Sequence, residues 1–339
     1  MRFRRPKKVS EIQKEKKNKK KESQNHGPFL STGLDNNLRY LREGIGRSSD
    51  IVFREYTLDL PEPVDIVIVF VDGMISREVI NEYILEALSF EGELNARWAY
   101  DRSNLILRIR DHALSINEVS IQTDLSEITT KILSGETAIL FEGYAEAIIC
   151  NTRGWEHRGI DEPDTEAVIR GPRVGFNEIL RSNTAQIRRW IRDPDLMIKS
   201  HRIGRRTKTD VAVVYLHSVA NPRIIAQVEK RLKKIEIDGV IESSYLQEMI
   251  EDRTFTLFPT VHTTERVDRV VSAILEGKVA ILTDNTPFVL IVPVTFWQLY
   301  SSAEDYYHRW PMAILLRSIR FLSFFFSLYL PSIYIAFSI

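Results

Sequence analysis

The 339-residue chain carries 46 basic and 46 acidic residues, with 44% hydrophobic and 27% charged residues overall. Its length exceeds one ordinary core and suggests about two domains, and its composition excludes a wholly disordered chain. One cysteine, Cys150, excludes an internal disulfide framework and, in the run Ala147-Ile148-Ile149-Cys150, reads as a small buried hydrophobe of a reducing compartment.

The first 30 residues hold eleven Lys and Arg against three Glu, leaving the rest of the chain net acidic. Ser10 to Pro28 is almost wholly polar, so the tail lacks the apolar stretch of a secretory signal. It reads as a disordered arm, either merely solubilising or drawn to an anionic membrane surface.

Val64 to Val71 is a short apolar run rich in β-branched residues, the pattern of a buried strand. Ser76 is a suitable N-cap for a following helix, with Val79, Ile80, Tyr83, Ala87 and Leu88 at helical spacing. Asp210 to Leu216 repeats the strand, and Asn221-Pro222 starts a helix carrying Ile224, Ile225, Val228 and Leu232. A second echo is sharper: Ile132–Leu140 and Ile274–Leu282 share six of nine residues at an offset of 142. Each copy reads as a helix end with a Gly C-cap (Gly135, Gly277), a strand, a polar turn and a return strand, Ala145 to Cys150 or Phe288 to Pro293. The expected fold is α/β, with two similar subdomains from an internal duplication, 31–152 and 196–312, joined by a connector at 153–195.

That connector switches sign. Asp161, Glu162, Pro163, Asp164 and Glu166 precede Arg170, Gly171, Pro172, Arg173, Gly175, Phe176 and Glu178, after which Ile179, Leu180, Ile187 and Ile191 mark an amphipathic helix bearing Asn183, Arg188 and Arg189. Two readings are open: a charged surface connector, whose exposed pairs contribute only about 0–1 kcal/mol, or a docking strap between subunits, since arginine suits bidentate carboxylate recognition. Nucleic-acid binding does not fit, because the chain beyond the tail is acidic and no aromatic residues interleave the arginines.

Phe321 to Ile339 contains no charged residue and, as a helix of about 28 Å, matches the roughly 30 Å hydrocarbon core. Pro331 is tolerable there. Arg309, Arg317 and Arg320 precede the span, which by the positive-inside rule places the preceding domain in the cytoplasm. No polar anchor follows Ile339, so 313–339 reads as the start of a larger membrane domain.

The run from Glu162 to Glu178 (E-P-D-T-E-A-V-I-R-G-P-R-V-G-F-N-E), with Asn183 and Arg188-Arg189, resembles the spore germinant-receptor A-subunit (GerA) family. Asp238-Gly239, Phe258-Pro259, Thr264-Glu265-Arg266 with Asp268, Leu275-Glu276-Gly277 and Glu304-Asp305-Tyr306-Tyr307 follow in family order. Upstream, Asn37-Leu38 and Asp72-Gly73 also fit, so the resemblance spans roughly 31–339. Val267 departs from it, standing where the family usually has proline. The resemblance implies a subunit of a nutrient receptor in the inner spore membrane, a homo-oligomer contributing an ion path, with a transporter-like B subunit and a lipoprotein C subunit as partners. A tethered scaffold of the same system that does not conduct is the alternative.

Enzymatic readings find little support. No G-x-G-x-x-G or P-loop pattern is present, and the seven histidines show no paired-ligand spacing. No catalytic residue, metal or cofactor is therefore expected.

Overall fold

The computed structural model describes residues 28–338 apart from positions 59, 61, 86–104, 114–117, 155–165, 167–170, 252–258, 300–304, 306 and 308. The basic arm through residue 27 and the expected helical positions Ala87 and Leu88 lie outside the described residues. The chain forms two compact units. The first comprises residues through Gly46, Val52–Val71 and Ile75–Arg153; the second comprises Arg47–Ile51, Asp72–Met74 and Gly154–Ile339.

In the first unit, helix α1 (Leu34–Gly44) precedes strands β1 (Ile51–Leu58) and β2 (Val64–Val71). Short helices α2 (Arg77–Ile80) and α3 (Leu105–Arg108), each running on into a wider π-type turn, lead to β3 (Val119–Gln122), α4 (Leu125–Leu133), β4 (Thr137–Phe141) and β5 (Ala147–Cys150). The sheet order is β1-β2-β4-β5-β3. Ile66, Ile68, Phe70, Ile139, Phe141, Ile148 and Cys150 face a core completed by Ile80, Leu105 and Ile109, while α4 covers β2 and β4 on its own side. Both faces are therefore apolar, which explains the continuous run at 64–71. Asp124 caps α4, accepting from Ser126 N at 2.7 Å and Glu127 N at 3.3 Å, a contact worth about 1 kcal/mol.

The second unit contains α5 (Leu180–Trp190), β6 (Leu196–Ile203), β7 (Thr209–Leu216), α6 (Pro222–Leu232), α7 (Ser243–Ile250), β8 (His262–Thr264), α8 (Val267–Leu275), β9 (Val279–Thr283), β10 (Val289–Val292), the short α9 (Phe296–Leu299) and α10 (Trp310–Ser338). Its sheet order is β6-β7-β9-β10-β8, the same progression as in the first unit. Alternation along the strands separates two cores. Ala212, Val214, Ala280 and Leu282 pack with Leu180 and Ile187 of α5 and Val270 and Ile274 of α8. Val211, Val213, Val279 and Ile281 pack with Val228 and Leu232 of α6 and Leu246 of α7. The helix that the sequence places in a connector is thus a layer of this unit, because its apolar face, with Phe176 and Ile191, completes the first of these cores.

Each helix that opens a unit is set by the same device. In the first, Asn37 Oδ1 accepts from Ser31 N at 2.9 Å and its Nδ2 donates to Ser31 O at 2.7 Å, while Leu34 N donates to Glu142 at 2.7 Å. In the second, Asn183 makes the same pair of bonds to Asn177 at 2.9 and 2.5 Å, and Leu180 N donates to Asp284 at 3.0 Å. A carboxylate meets the positive N-terminal end of each helix, which stabilises it.

Cys150 is fully buried, and burial above all, then the Glu136 charge, pushes its thiol up to about 12. The thiolate is the reactive form, so a maleimide should leave folded protein unlabelled at pH 8 and label it completely in denaturant. Rapid labelling of the native chain would contradict the placement of β5.

Candidate coupling site at the membrane-proximal end

The motifs after Glu162 converge on one buried arginine. Arg266 immediately precedes α8, is 1% exposed, and binds Asp268 in two-pronged fashion, Nε to Oδ1 at 3.1 Å and Nη2 to Oδ2 at 2.9 Å. Its remaining donors reach the carbonyls of Glu166 and Pro172, each at 3.0 Å. The Glu166 carboxylate accepts from the Thr264 hydroxyl and pairs with Arg269. Gly175 bridges Arg266 in antiparallel fashion, and Phe176 N donates to the Glu265 carbonyl at 2.8 Å. Asp268 lies in the first turn of α8, where the helix dipole also favours its charge.

Tyr307 joins this cluster from the segment that precedes the C-terminal helix. Its hydroxyl donates to Asp268, and its ring lies where a Cβ on Gly171 would come within 2.8 Å, at a φ of +139°. Only glycine satisfies both demands. Burial, then the bond to Asp268 and that carboxylate's charge, push the phenol up to about 12, with Arg266 opposing. Asp305, its side chain wholly buried, pairs with Arg317 at 3.1 Å and with Arg320, both on α10. A continuous set of polar contacts therefore runs from Glu166 and Pro172 through Arg266 and Asp268 to Tyr307, and Asp305, two residues earlier, pairs with Arg317 and Arg320 of the apolar helix.

Beside it lies a cavity of about 60 Å³ lined by His262, Asp268, Arg269, Glu276, Lys278 and Tyr307 among others. His262 is held below its usual range by burial first and by Arg269 next.

A second buried arginine organises the other end of α5. Arg188, 1% exposed, donates to Asp50 from Nε at 2.9 Å and Nη2 at 3.1 Å, and to the carbonyls of Asp193 and Leu196. Ser48 Oγ accepts from Ile198 N at 3.0 Å and donates to Asp50 at 2.5 Å. Among the expected site residues, Asn183 and Arg188 are thus committed inside their own unit. Glu178 is exposed, with its carbonyl accepting from Asn285 N at 2.8 Å. Glu162, Pro163, Arg170 and Tyr306 lie outside the described residues. Sequence reasoning missed Asp50 and Ser48. A usable signal existed: Leu-x2-Asn-x4-Arg occurs at Leu34-Asn37-Arg42 and again at Leu180-Asn183-Arg188.

Two three-layer α/β units, a buried arginine hub and a C-terminal helix long and apolar enough to cross a membrane (Trp310–Phe337) define a membrane-associated α/β protein in which Asp305 pairs with two arginines of that helix. The family described as Bacillus/Clostridium GerA spore germination protein matches residues 39–339, and the chain belongs to that family. It is 36% identical to spore germination protein KA of Bacillus subtilis over 91% of this chain and 56% of that protein. It is 35% identical to spore germination protein GerLA of Bacillus cereus over 88% of this chain and 59% of that protein. The chain therefore spans somewhat over half the length of these curated relatives. The crystal structure of the N-terminal domain of the A subunit of the Bacillus megaterium spore germinant receptor GerK3 superposes with a TM-score of 0.62 at 32% identity, covering 80% of this chain and 98% of that one.

Asp268→Asn leaves Arg266 buried without its counter-charge, which should cost about 3–5 kcal/mol in thermal or denaturant unfolding. Val267→Pro should fall within about 1 kcal/mol of the parent: Val267 is the first residue of α8 and Arg266 is already extended (φ −90°, ψ 124°), as proline requires of both. A collapse of the proline variant would refute this placement of the helix start.

Tyr307 gives an alkaline signature. A phenol raised above its ordinary value stabilises the fold below about pH 10, and that contribution is lost as pH rises towards 12. Tyr307→Phe should decline less over this window; identical alkaline unfolding profiles would contradict the bond to Asp268.

Proposed function

We propose that this chain is part of a membrane subunit of a nutrient germinant receptor that triggers spore germination. The observation that carries this reading is the convergence of the Glu166–Phe176 run, Thr264-Glu265-Arg266 with Asp268, and Tyr307 on one cluster next to the head of the apolar helix. Such an arrangement suits a protein that passes a change in its soluble part to the membrane. In this reading the protein is not an enzyme and the soluble units face the cytoplasm, as Arg309, Arg317 and Arg320 on that side favour. The helix lies in the inner spore membrane, several copies assemble to contribute an ion-release path, and a transporter-like B subunit and a lipoprotein C subunit complete the receptor. The stretch around Arg170 and Arg173 docks neighbouring copies.

We further read the two units as products of internal duplication. Support comes from their shared strand order and from the paired devices at Asn37 with Glu142 and Asn183 with Asp284. On this reading the repeat begins upstream of the first strand of each unit, at about residues 31 and 177.

Deletion of the gene in a spore-forming host, followed by release of core ions under a nutrient panel, tests the function. The expected result is loss of response to at least one nutrient, restored by the parent gene and not by one carrying Asp268→Asn. Unchanged responses to every nutrient would overturn the receptor role.

A further inference from the structure

The two sheets share one register at an offset of 142. Ile149 pairs with Ala138 on one side and Ser120 on the other, as Ile291 pairs with Ala280 and His262. Geometry therefore licenses a position-by-position comparison of the units, and that comparison shows a reversal of charge. Glu136, between α4 and β4, has a side chain only 8% exposed and is held by two cations of its own unit, Arg153 at 2.6 Å and Lys131 at 3.3 Å. Lys278, between α8 and β9, stands at the corresponding position with its side chain 17% exposed. The positions that give Glu136 its cations hold Ala273 and Thr295 in the second unit, and neither offers Lys278 a carboxylate. Among the described residues its ionic partner is Glu276, 3.4 Å away on a side chain that is 49% exposed. An ammonium has three donors to place.

What the first unit closes with its own ion pairs, the second leaves open. The cavity of about 60 Å³ beside Tyr307 lies at this corner, with Lys278 in its wall. It has room for about four waters, or for a solute of that size. Lys278 supplies donors for a carboxylate, and Ala273, Ile291 and Val294 supply an apolar surface. His262 Nδ1 lies 2.8 Å from the Thr263 carbonyl, which can only accept, so the ring proton sits there and Nε2 is left as an acceptor. That acceptor calls for a neutral donor. Burial and the Arg269 charge hold His262 itself uncharged, and an ammonium entering beside it meets the same opposition. Asp268 is already engaged by Arg266 and Tyr307.

We propose that this cavity binds a small α-hydroxy acid of lactate size, with its carboxylate on Lys278, its hydroxyl donating to His262 Nε2 and its methyl group against Ala273, Ile291 and Val294. The ligand carboxylate supplies the counter-charge that the second unit does not build into this corner. The site is formed by residues of the second unit and stands independently of the receptor reading.

Ligand-detected NMR titrations of the full chain in detergent, with lactate, propionate, lactamide and alanine as probes, test the site. Lactate should bind saturably. Propionate, which lacks the hydroxyl, should bind about fivefold more weakly, and lactamide, which lacks the charge, about tenfold or more. Alanine, whose ammonium replaces the hydroxyl, should bind no better than propionate. Lys278→Met should weaken lactate binding about tenfold or more. Thr295→Glu, at an exposed position, sets a carboxylate where Arg153 stands in the first unit; it should compete with lactate from within the chain and leave the thermal unfolding midpoint unchanged or raised. No saturable binding of lactate by the parent, alanine binding as tightly as lactate, or undiminished lactate binding in either variant would each overturn the proposal.

Discussion

Arg266 is buried at 1% exposure, and the part of the second unit around it is arranged to satisfy its guanidinium. Desolvating a guanidinium costs several kcal/mol unless a counter-charge and further acceptors are in place. Asp268 supplies the charge, and the Glu166 and Pro172 carbonyls supply the rest. The backbone around residues 166 and 172 must therefore hold its course, and Gly171 between them is free to take the conformation that admits the Tyr307 ring. Motifs separated by more than 130 residues are linked because each meets one requirement of the same buried cation.

Arg188 repeats this logic at the far end of α5. Its partner Asp50 comes from a five-residue stretch, Arg47–Ile51, that belongs to the second unit although the chain on either side of it belongs to the first. That stretch is pinned by Ser48 and by Ser49 N donating to the Ile198 carbonyl at 2.9 Å. Arg42, at the corresponding position of α1, instead pairs with Glu55 in solvent at 2.7 Å, with its side chain 53% exposed. Exposed pairs contribute little, whereas a buried pair broken on one side is costly. The two helices share a sequence pattern, but only the second uses its arginine as an internal tie.

Much of this fold was legible because hydrophobic periodicity and capping chemistry are local. The strands at 64–71 and 209–216, the cap at Asn221 and the glycines ending α4 and α8 follow from neighbours in sequence. Sequence read the helix at 180–190 correctly but misassigned its role: amphipathicity says that a face is buried and not against what. Asp50 was invisible because its importance comes from Arg188, 138 residues away, and no local pattern distinguishes it from an exposed aspartate. The Glu162–Arg192 run was recognised as unusual, yet its charge pattern suggested outward pairing, whereas Glu166 and Arg188 both turn inward.

The two ends of the hub differ in what can be released. Removing Arg266 from Asp268 strands two buried charges, so that pair is fixed for as long as the unit is folded. Tyr307 is different: if its hydroxyl withdraws, Asp268 keeps both bonds to Arg266, and the loss is that of one hydrogen bond to a charged group, about 1.5–3 kcal/mol. Coupling free energies between sites in allosteric proteins are of the same order, about 1–3 kcal/mol. The contact is thus strong enough to hold the membrane-proximal segment in one position and weak enough to be overcome by a modest change in the helix or its surroundings. A rigid arginine hub therefore carries a tyrosine arm that can detach at a small fraction of the cost of breaking the hub itself.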